Sequence, residues 1–373
     1  MKIVHIVPRV DYFGGIENYV ANLIRNNSES NNQIILITFF SKNNKKLLSE
    51  LLQYSIEIYQ LRITLFEKVN SKYLKFVFKN NLISHFNKYK SLKYYLLKIN
   101  PDLIYTHGED SEIISSFLTN HFKIINVIHG EDYFPLNPLL RFYLERVARK
   151  KFIHTVIVNN KLKHKVPLNS NCSIINAGVD LSRFESMKSD SEFLYRKDIS
   201  FGFIGRLEKQ KGINKILEAF IRLNKFYSNI ILEIAGSGKL EKKLKSQIPS
   251  ELITKVNFRG NIEEISLFYK NIDFLIICSE SEGGPLVLLE AMASGVLVIT
   301  NEVGLVSEII KNKKNGRLIK KNSIEDIFRM MKESVEEVDA NKLIVKNARK
   351  TIQNYSVQKM VEKFNLLSEK LIL

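Results

Sequence analysis

The sequence predicts an α/β chain of two domains, each a doubly wound parallel sheet covered on both faces, the two facing each other across a cleft. Three observations predict it. The chain has 373 residues, enough for two domains at roughly 100–200 residues each. Short, nearly continuous apolar runs alternate with helical periodicity along its length, as in strands buried on both sides. The segments after those runs carry Gly, Ser, Glu or His, at the strand ends where doubly wound sheets bind ligands.

The opening MKIVHIVPRVDYFGG has an apolar stretch broken by His5 and Pro8. It is too short for a signal-peptide core and has no small-residue cleavage site, so it reads as a first strand. Gly14 and Gly15 then make a bare-backbone turn into a helix with Glu17 in its first turn. The strands QIILITFF, DLIYTH, KIINVIHG and HTVIVNN complete the first domain. The polar, turn-rich stretch PLNSNCSIINAGVDLSRFESMKSDSEFLYRKD marks the break, placed near Ser170. Beyond it SFGFIG, IILEIAG, VNFRG, DFLIICSE and VLVITN are strands, with helical patterns in INKILEAFIRL and ISLFYK. The last segment, VQKMVEKFNLLSEKL, carries a helical stripe of Val357, Met360, Val361, Phe364 and Leu367. The first domain is thus expected over 1–170 and the second over 171–354, with a terminal helix over 355–373.

Composition is that of an ordinary soluble protein, 45% hydrophobic and 25% charged, with no apolar run near a membrane span. Cys172 and Cys278 make no disulfide framework, which suits a reducing cytoplasm. The net charge of +17 points to an anionic partner: nucleic acid, anionic lipid or a phosphorylated substrate. Nine Lys/Arg and one acidic residue fall between Arg62 and Lys98, with aromatic residues in SKYLKFVFKNN. This stretch is either a solvated helix face or a contact with an anionic membrane surface.

The segment SEGGPLVLLEAMASG, Ser281 to Gly295, carries the chemistry. Pro285 suits a first helical position and Gly295 a terminator, giving a helix over about 285–293. Gly283 and Gly284 leave backbone N–H groups bare for a phosphate. Glu290 lies about 7–8 Å along the axis from Pro285, on a stripe with Leu286, Leu289 and Ala293. A buried carboxylate needs donors, and a sugar hydroxyl pair can supply them; pairing with a neighbouring backbone group or Arg is the bland alternative. Glu282 precedes the helix, on the other side of the phosphate site. The three features form a ruler matching hexose, diphosphate and ribose.

In GFIGRLEKQKGINKILEAF, Arg206, Lys209 and Lys211 crowd a helix start, where cations oppose the dipole unless an anion sits there. Arg206 and Lys211 are the candidates for holding a diphosphate. GSGKL at 236–240 lacks the third glycine of a dinucleotide fingerprint, and no GxxxxGK[ST] occurs. HGED occurs twice, from His107 and from His129, each time after a strand. A composite metal site is the lesser expectation; one His contacting substrate is the better one.

Together GGIENYV, IINAGVDLSRF, FIGRLEKQKG, LEIAGSGKL, VNFRGNIEE and SESEGGPLVLLEAMASG resemble retaining glycosyltransferases of family 4, over nearly the whole chain. The last segment is similar to that family's E-x7-E pattern, with Glu282 and Glu290 as its ends. The resemblance implies the GT-B fold of two facing Rossmann-like domains, with the terminal helix crossing back onto the first. It implies that Glu282 accepts from the transferred sugar and that Gly283, Gly284, Pro285 and Leu286 meet sugar and phosphates through backbone. Glu290 would bind the ribose, and Arg206 and Lys211 would stabilise the departing diphosphate. Gly15 would lie near phosphates or acceptor, and His129 beside the reacting sugar. No resident metal or other cofactor is implied.

The expected reaction moves a hexose-type sugar from a nucleotide-diphosphate sugar to a lipid-linked or glycan acceptor in cell-surface polysaccharide assembly, on the cytoplasmic membrane face. The alternatives are an inactive GT-B binding protein, which the intact motif disfavours, and a basic nucleic-acid-binding protein, for which no RNP, zinc-finger or P-loop pattern speaks.

Overall fold

The computed structural model describes residues 1–8, 15–27, 32–39, 45–54, 56–61, 82–130, 138–184 and 198–372. The chain divides into two compact units, Met1–Ala177 with Val357–Leu373, and Gly178–Ser356.

The first unit holds seven strands: β1 (Lys2–Val7), β2 (Gln33–Thr38), β3 (Glu57–Gln60), β4 (Leu103–His107), β5 (Ile124–Ile128), β6 (His154–Ile157) and β7 (Cys172–Ile174). They form one sheet in the order β3-β2-β1-β4-β5-β6-β7, with every pairing parallel. The middle strands are apolar because helices cover both faces. Val4, Ile6, Ile35, Ile37, Ile104 and Ile124 are core residues, packed with Leu92, Leu96 and Ile99 of the helix Leu82–Ile99.

The second unit holds β8 (Ile199–Ile204), β9 (Ile230–Ala235), β10 (Val256–Gly260), β11 (Phe274–Ile277), β12 (Leu297–Asn301) and β13 (Arg317–Ile319). Its order is β10-β9-β8-β11-β12-β13, again parallel throughout. The helix Ile213–Asn224 buries Ile213, Ile216, Leu217, Phe220 and Leu223 against this sheet, the stripe expected at helical spacing.

Both sheets reverse direction once, between β1 and β4 and between β8 and β11. There the outgoing loops diverge and leave a crevice at the strands' carboxyl ends.

Three strands escape the sequence pattern: β3, β7 and β13, all edge strands of three or four residues. Because β7 pairs with β6, the first unit runs past the boundary expected near Ser170, to Ala177. The terminal helix begins at Val357 rather than 355. It belongs to the first unit, where Tyr105 and Ser368 share a hydroxyl hydrogen bond of 2.7 Å and Phe364 packs edge-on against Tyr105.

Candidate active site

The helix Leu286–Ala293 starts one residue later than expected, with Pro285 preceding it in extended conformation. No side chain caps its N-terminus. Gly295 ends it at φ +72°, a conformation that glycine adopts freely. Leu288, Leu289, Ala291 and Met292 are fully buried, and the helix packs against the helix Val338–Ile352 and β12.

Glu290 is half-buried on that helix. Burial pushes its carboxyl above the ordinary range, while the Tyr269 hydroxyl and the Arg183 charge pull it down. The Tyr269 hydroxyl donates to Oε2 at 2.8 Å. The acid therefore has one protein donor, which the sequence did not announce. Among the described residues no hydrogen-bond partner meets its Oε1.

Glu282 lies in the loop after β11. Its Oε1 accepts from Lys211 Nζ at 2.5 Å and from Ser279 Oγ at 2.6 Å. Oε2 has no hydrogen-bond partner among the described residues. Backbone contacts fix this meeting. Glu280 N–H donates to the Gln210 carbonyl at 2.8 Å, tying the Lys209–Lys211 turn to the Glu282 loop. Gly212 sits at φ +72°, and a Cβ there would come within 2.3 Å of the Cys278 carbonyl oxygen. From the other side, Leu305 N–H donates to the Gly283 carbonyl at 3.1 Å. A Cβ on Gly304 would lie 2.1 Å from the Glu282 carbonyl oxygen. Glycine at 212 and 304 is thus required by close backbone approach.

The helix Ile213–Asn224 also begins without a side-chain cap. The second unit therefore presents two uncapped helix N-termini, the Lys211–Glu282 pair and the backbone of Gly283 and Gly284, all after strands at its reversal point. Helix N-termini of this kind attract anions. Arg206, the other candidate for holding a diphosphate, is 56% exposed and pairs with Glu208 at 3.1 Å.

In the first unit Gly15 opens the helix Gly15–Arg25, with Glu17 in its first turn. Among the described residues, an added Cβ at Gly15 would meet nothing within 4 Å, so their packing does not demand glycine there. Gly14 lies outside the described residues, as does 62–81 of the basic stretch. His129 follows β5 and is half-buried. Its Nε2 lies 2.9 Å from Nδ1 of His107, whose Nε2 lies 3.0 Å from Nδ1 of His5. Burial lowers the first of these to about 3 and His5 to about 4, and holds His107 well below the usual range. All three rings are neutral at physiological pH. The two HGED segments thus meet through imidazole contacts. Among the described residues no group of three or more His, Cys, Asp or Glu is arranged to hold a metal ion.

Sequence reasoning missed Tyr269, Ser279, Gly304, His5 and the place of Arg183. Tyr269 stood in ISLFYK, where an aromatic at helical spacing reads as core. Gly304 had no motif around it.

Residues 184–351 match the family model described as glycosyl transferases group 1. Over 97% of this chain and 96% of the relative, the sequence is 26% identical to the uncharacterized glycosyltransferase MJ1069 of Methanocaldococcus jannaschii. It is 26% identical to the UDP-Gal:alpha-D-GlcNAc-diphosphoundecaprenol alpha-1,3-galactosyltransferase of Escherichia coli, over 76% of this chain and 77% of that protein. Anabaena Alr3699/HepE, solved in complex with UDP and glucose, shares the fold with a TM-score of 0.78, at 16% identity over 99% of this chain and 100% of that one. The chain thus has a two-domain GT-B fold, its match to the glycosyl transferases group 1 model lies in the second unit, and glycosyltransferase activity is what that match and these relatives support.

Proposed function

We propose that the chain is a retaining, family 4 glycosyltransferase that moves a hexose-type sugar from a nucleotide-diphosphate sugar to a lipid-linked or glycan acceptor in surface-polysaccharide assembly. The observation that carries this is the locked pair Lys211–Glu282 beside two uncapped helix N-termini. Lys211 and the amides at the two uncapped helix N-termini neutralise a departing diphosphate, with Arg206 swinging from Glu208 to join them. Stabilising charge that develops on the leaving group is commonly the largest single catalytic effect. Lys211 then exchanges part of its bond to Glu282 for a phosphate oxygen. That frees the Glu282 carboxylate to accept from a sugar hydroxyl. Gly283, Gly284, Pro285 and Leu286 approach sugar and phosphates through backbone. Glu290 takes the ribose hydroxyls on the oxygen that Tyr269 leaves open.

The first unit is proposed to bind the acceptor, with Gly14 and Gly15 near it and His129 hydrogen-bonding the reacting sugar. The reaction is proposed to need no resident metal, because the cations and amides already supply the positive charge. The acceptor class is supported by relatives, among them the diphosphoundecaprenol-directed galactosyltransferase.

A peripheral position on the cytoplasmic membrane face is supported by the net charge of +17. A cation over an exposed aromatic ring supports it too: Lys151 lies 5.6 Å from the Phe117 ring. Among the described residues no helix is long and apolar enough to cross a membrane.

A thermal-unfolding screen of UDP-, GDP-, ADP- and CDP-sugars tests the donor reading. One nucleotide class should stabilise the chain, by about 2.7 kcal/mol at a hundredfold excess over Kd, and Lys211→Ala should remove most of that gain. No stabilisation by any of the four classes would sink the proposal.

A further inference from the structure

Three imidazoles joined nitrogen to nitrogen need an explanation that ordinary packing does not supply. His5 comes from β1, His107 ends β4 and His129 follows β5. Two contacts of 3.0 and 2.9 Å link them in series through His107. The rings are also held from the sides. His5 stacks on Tyr105 with centroids 5.2 Å apart at 11°, and Tyr19 meets His129 edge-on at 4.7 Å.

A neutral imidazole has one N–H and one bare nitrogen. Both hydrogen bonds can then be made in only two ways. In the first, His5 Nδ1–H donates to His107 Nε2, and His107 Nδ1–H donates to His129 Nε2. His129 then carries its proton on Nδ1. In the second, both bonds reverse: His129 Nε2–H donates to His107 Nδ1, and His107 Nε2–H donates to His5 Nδ1. His129 Nδ1 is then a bare acceptor. Passing from the first to the second moves each bonding proton across its own hydrogen bond, releases the proton on His129 Nδ1, and takes one up at His5 Nε2. No mixed arrangement keeps both bonds.

We propose that His5 and His107 are positioning residues that fix the ring orientation of His129 and hold it in one of these two concerted arrangements, so that its tautomer is set by theirs. Its remaining nitrogen, Nδ1, then offers one fixed hydrogen-bonding atom to a sugar hydroxyl. Among the described residues no hydrogen-bond partner occupies Nδ1. The proposal rests on the reading of His129 as a sugar contact. It adds that the contact is a neutral hydrogen bond of set polarity rather than a charge. A free imidazole exchanges between tautomers and can rotate its ring; a ring held by a partner does neither.

The test is long-range proton–nitrogen correlation NMR on the full chain labelled with 15N-histidine, in which the two ring nitrogens report which one carries the proton. The parent should show His129 as one neutral tautomer. In His107→Leu, His129 should become a mixture of both. Asn places its amide near the former Nδ1 and should restore a single tautomer in His107→Asn. His107→Gln, whose amide lies near the former Nε2, should not. UDP release from UDP-glucose is followed in the same proteins. His107→Leu should lower kcat about ten- to a hundredfold, as expected for a misplaced contact, with little change in KM and with His107→Asn recovering most of the loss. An unchanged His129 spectrum in His107→Leu would overturn the relay. Parent-level turnover in His129→Ala would instead overturn the sugar-contact reading on which it rests, and the tautomer spectra would then decide the relay alone.

Discussion

Glu290 sits on a helix whose neighbours Leu288, Leu289, Ala291 and Met292 are fully buried. Burial is the largest influence on its carboxyl and raises it above the ordinary range; the Tyr269 hydroxyl and Arg183 work in the other direction. The folded chain therefore binds that proton more tightly than the unfolded chain does. The associated stability is fully present below the unfolded value and is lost as pH rises through the folded one. At neutral pH without a ligand, the ionised acid costs stability. Glu290→Gln keeps the shape and removes the charge. Its unfolding temperature without ligand should exceed the parent's by a few degrees at pH 7.5, at roughly 2–4 °C per kcal/mol for a unit the size of Gly178–Ser356. The advantage should shrink as the pH approaches 4. Scanning fluorimetry across that range checks it, and a lower unfolding temperature for the variant at pH 7.5 would show that Tyr269 and Arg183 outweigh burial. Glu290 was legible in the sequence because a carboxylate inside PLVLLEAMA conflicts with its surroundings. Tyr269 was not, because an aromatic in a helical stripe looks the same whether its hydroxyl is bonded or idle. The Lys211–Glu282 contact spans 71 positions, and no local pattern encodes such a distance.

At the scale of elements, the strands that the sequence revealed are the continuous apolar ones in the middle of each sheet and one edge strand, β10. Those it hid are β3, β7 and β13, at sheet edges, where one side is solvated and three or four residues suffice. Glycines divide in the same way. GG at 283–284 reads as a motif, whereas Gly304 shows its purpose only when its turn is seen against the Glu282 carbonyl, at φ +46°. Gly304→Ala must both strain its backbone and push back the loop that carries Glu282. It should cost about 1–3 kcal/mol of stability and lower turnover well beyond what that loss explains. Gly15→Ala, whose Cβ would meet no atom of the described residues within 4 Å, should unfold within about 0.5 kcal/mol of the parent. Thermal unfolding and turnover of the two variants separate a folding requirement from a substrate one. Equal destabilisation by both would contradict the backbone argument.

At the scale of the whole molecule, two sheets of the same reversed order follow one another along the chain, and the terminal helix Val357–Ile372 belongs to the first unit. Alternating strand and helix signals carried the two sheets in the sequence, whereas the place of the last helix was implied only by the family resemblance. The exact division at Ala177/Gly178 did not show, because β7 lies inside the polar stretch that looked like a linker. The charge of +17 is a property of the whole chain, and by itself it favoured no one anion. The nucleotide reading comes from the small set of residues at the edge of β8 and β11. Its central claim is that Glu290 holds a place for a ribose while Lys211 and bare amides hold the diphosphate. Isothermal titration of UDP, GDP and ADP into the parent and into Glu290→Gln tests that claim most directly. The account predicts that the parent binds one of them and that the variant binds it at least about tenfold more weakly, the loss of one charge-assisted hydrogen bond. Equal affinity in parent and variant would contradict it.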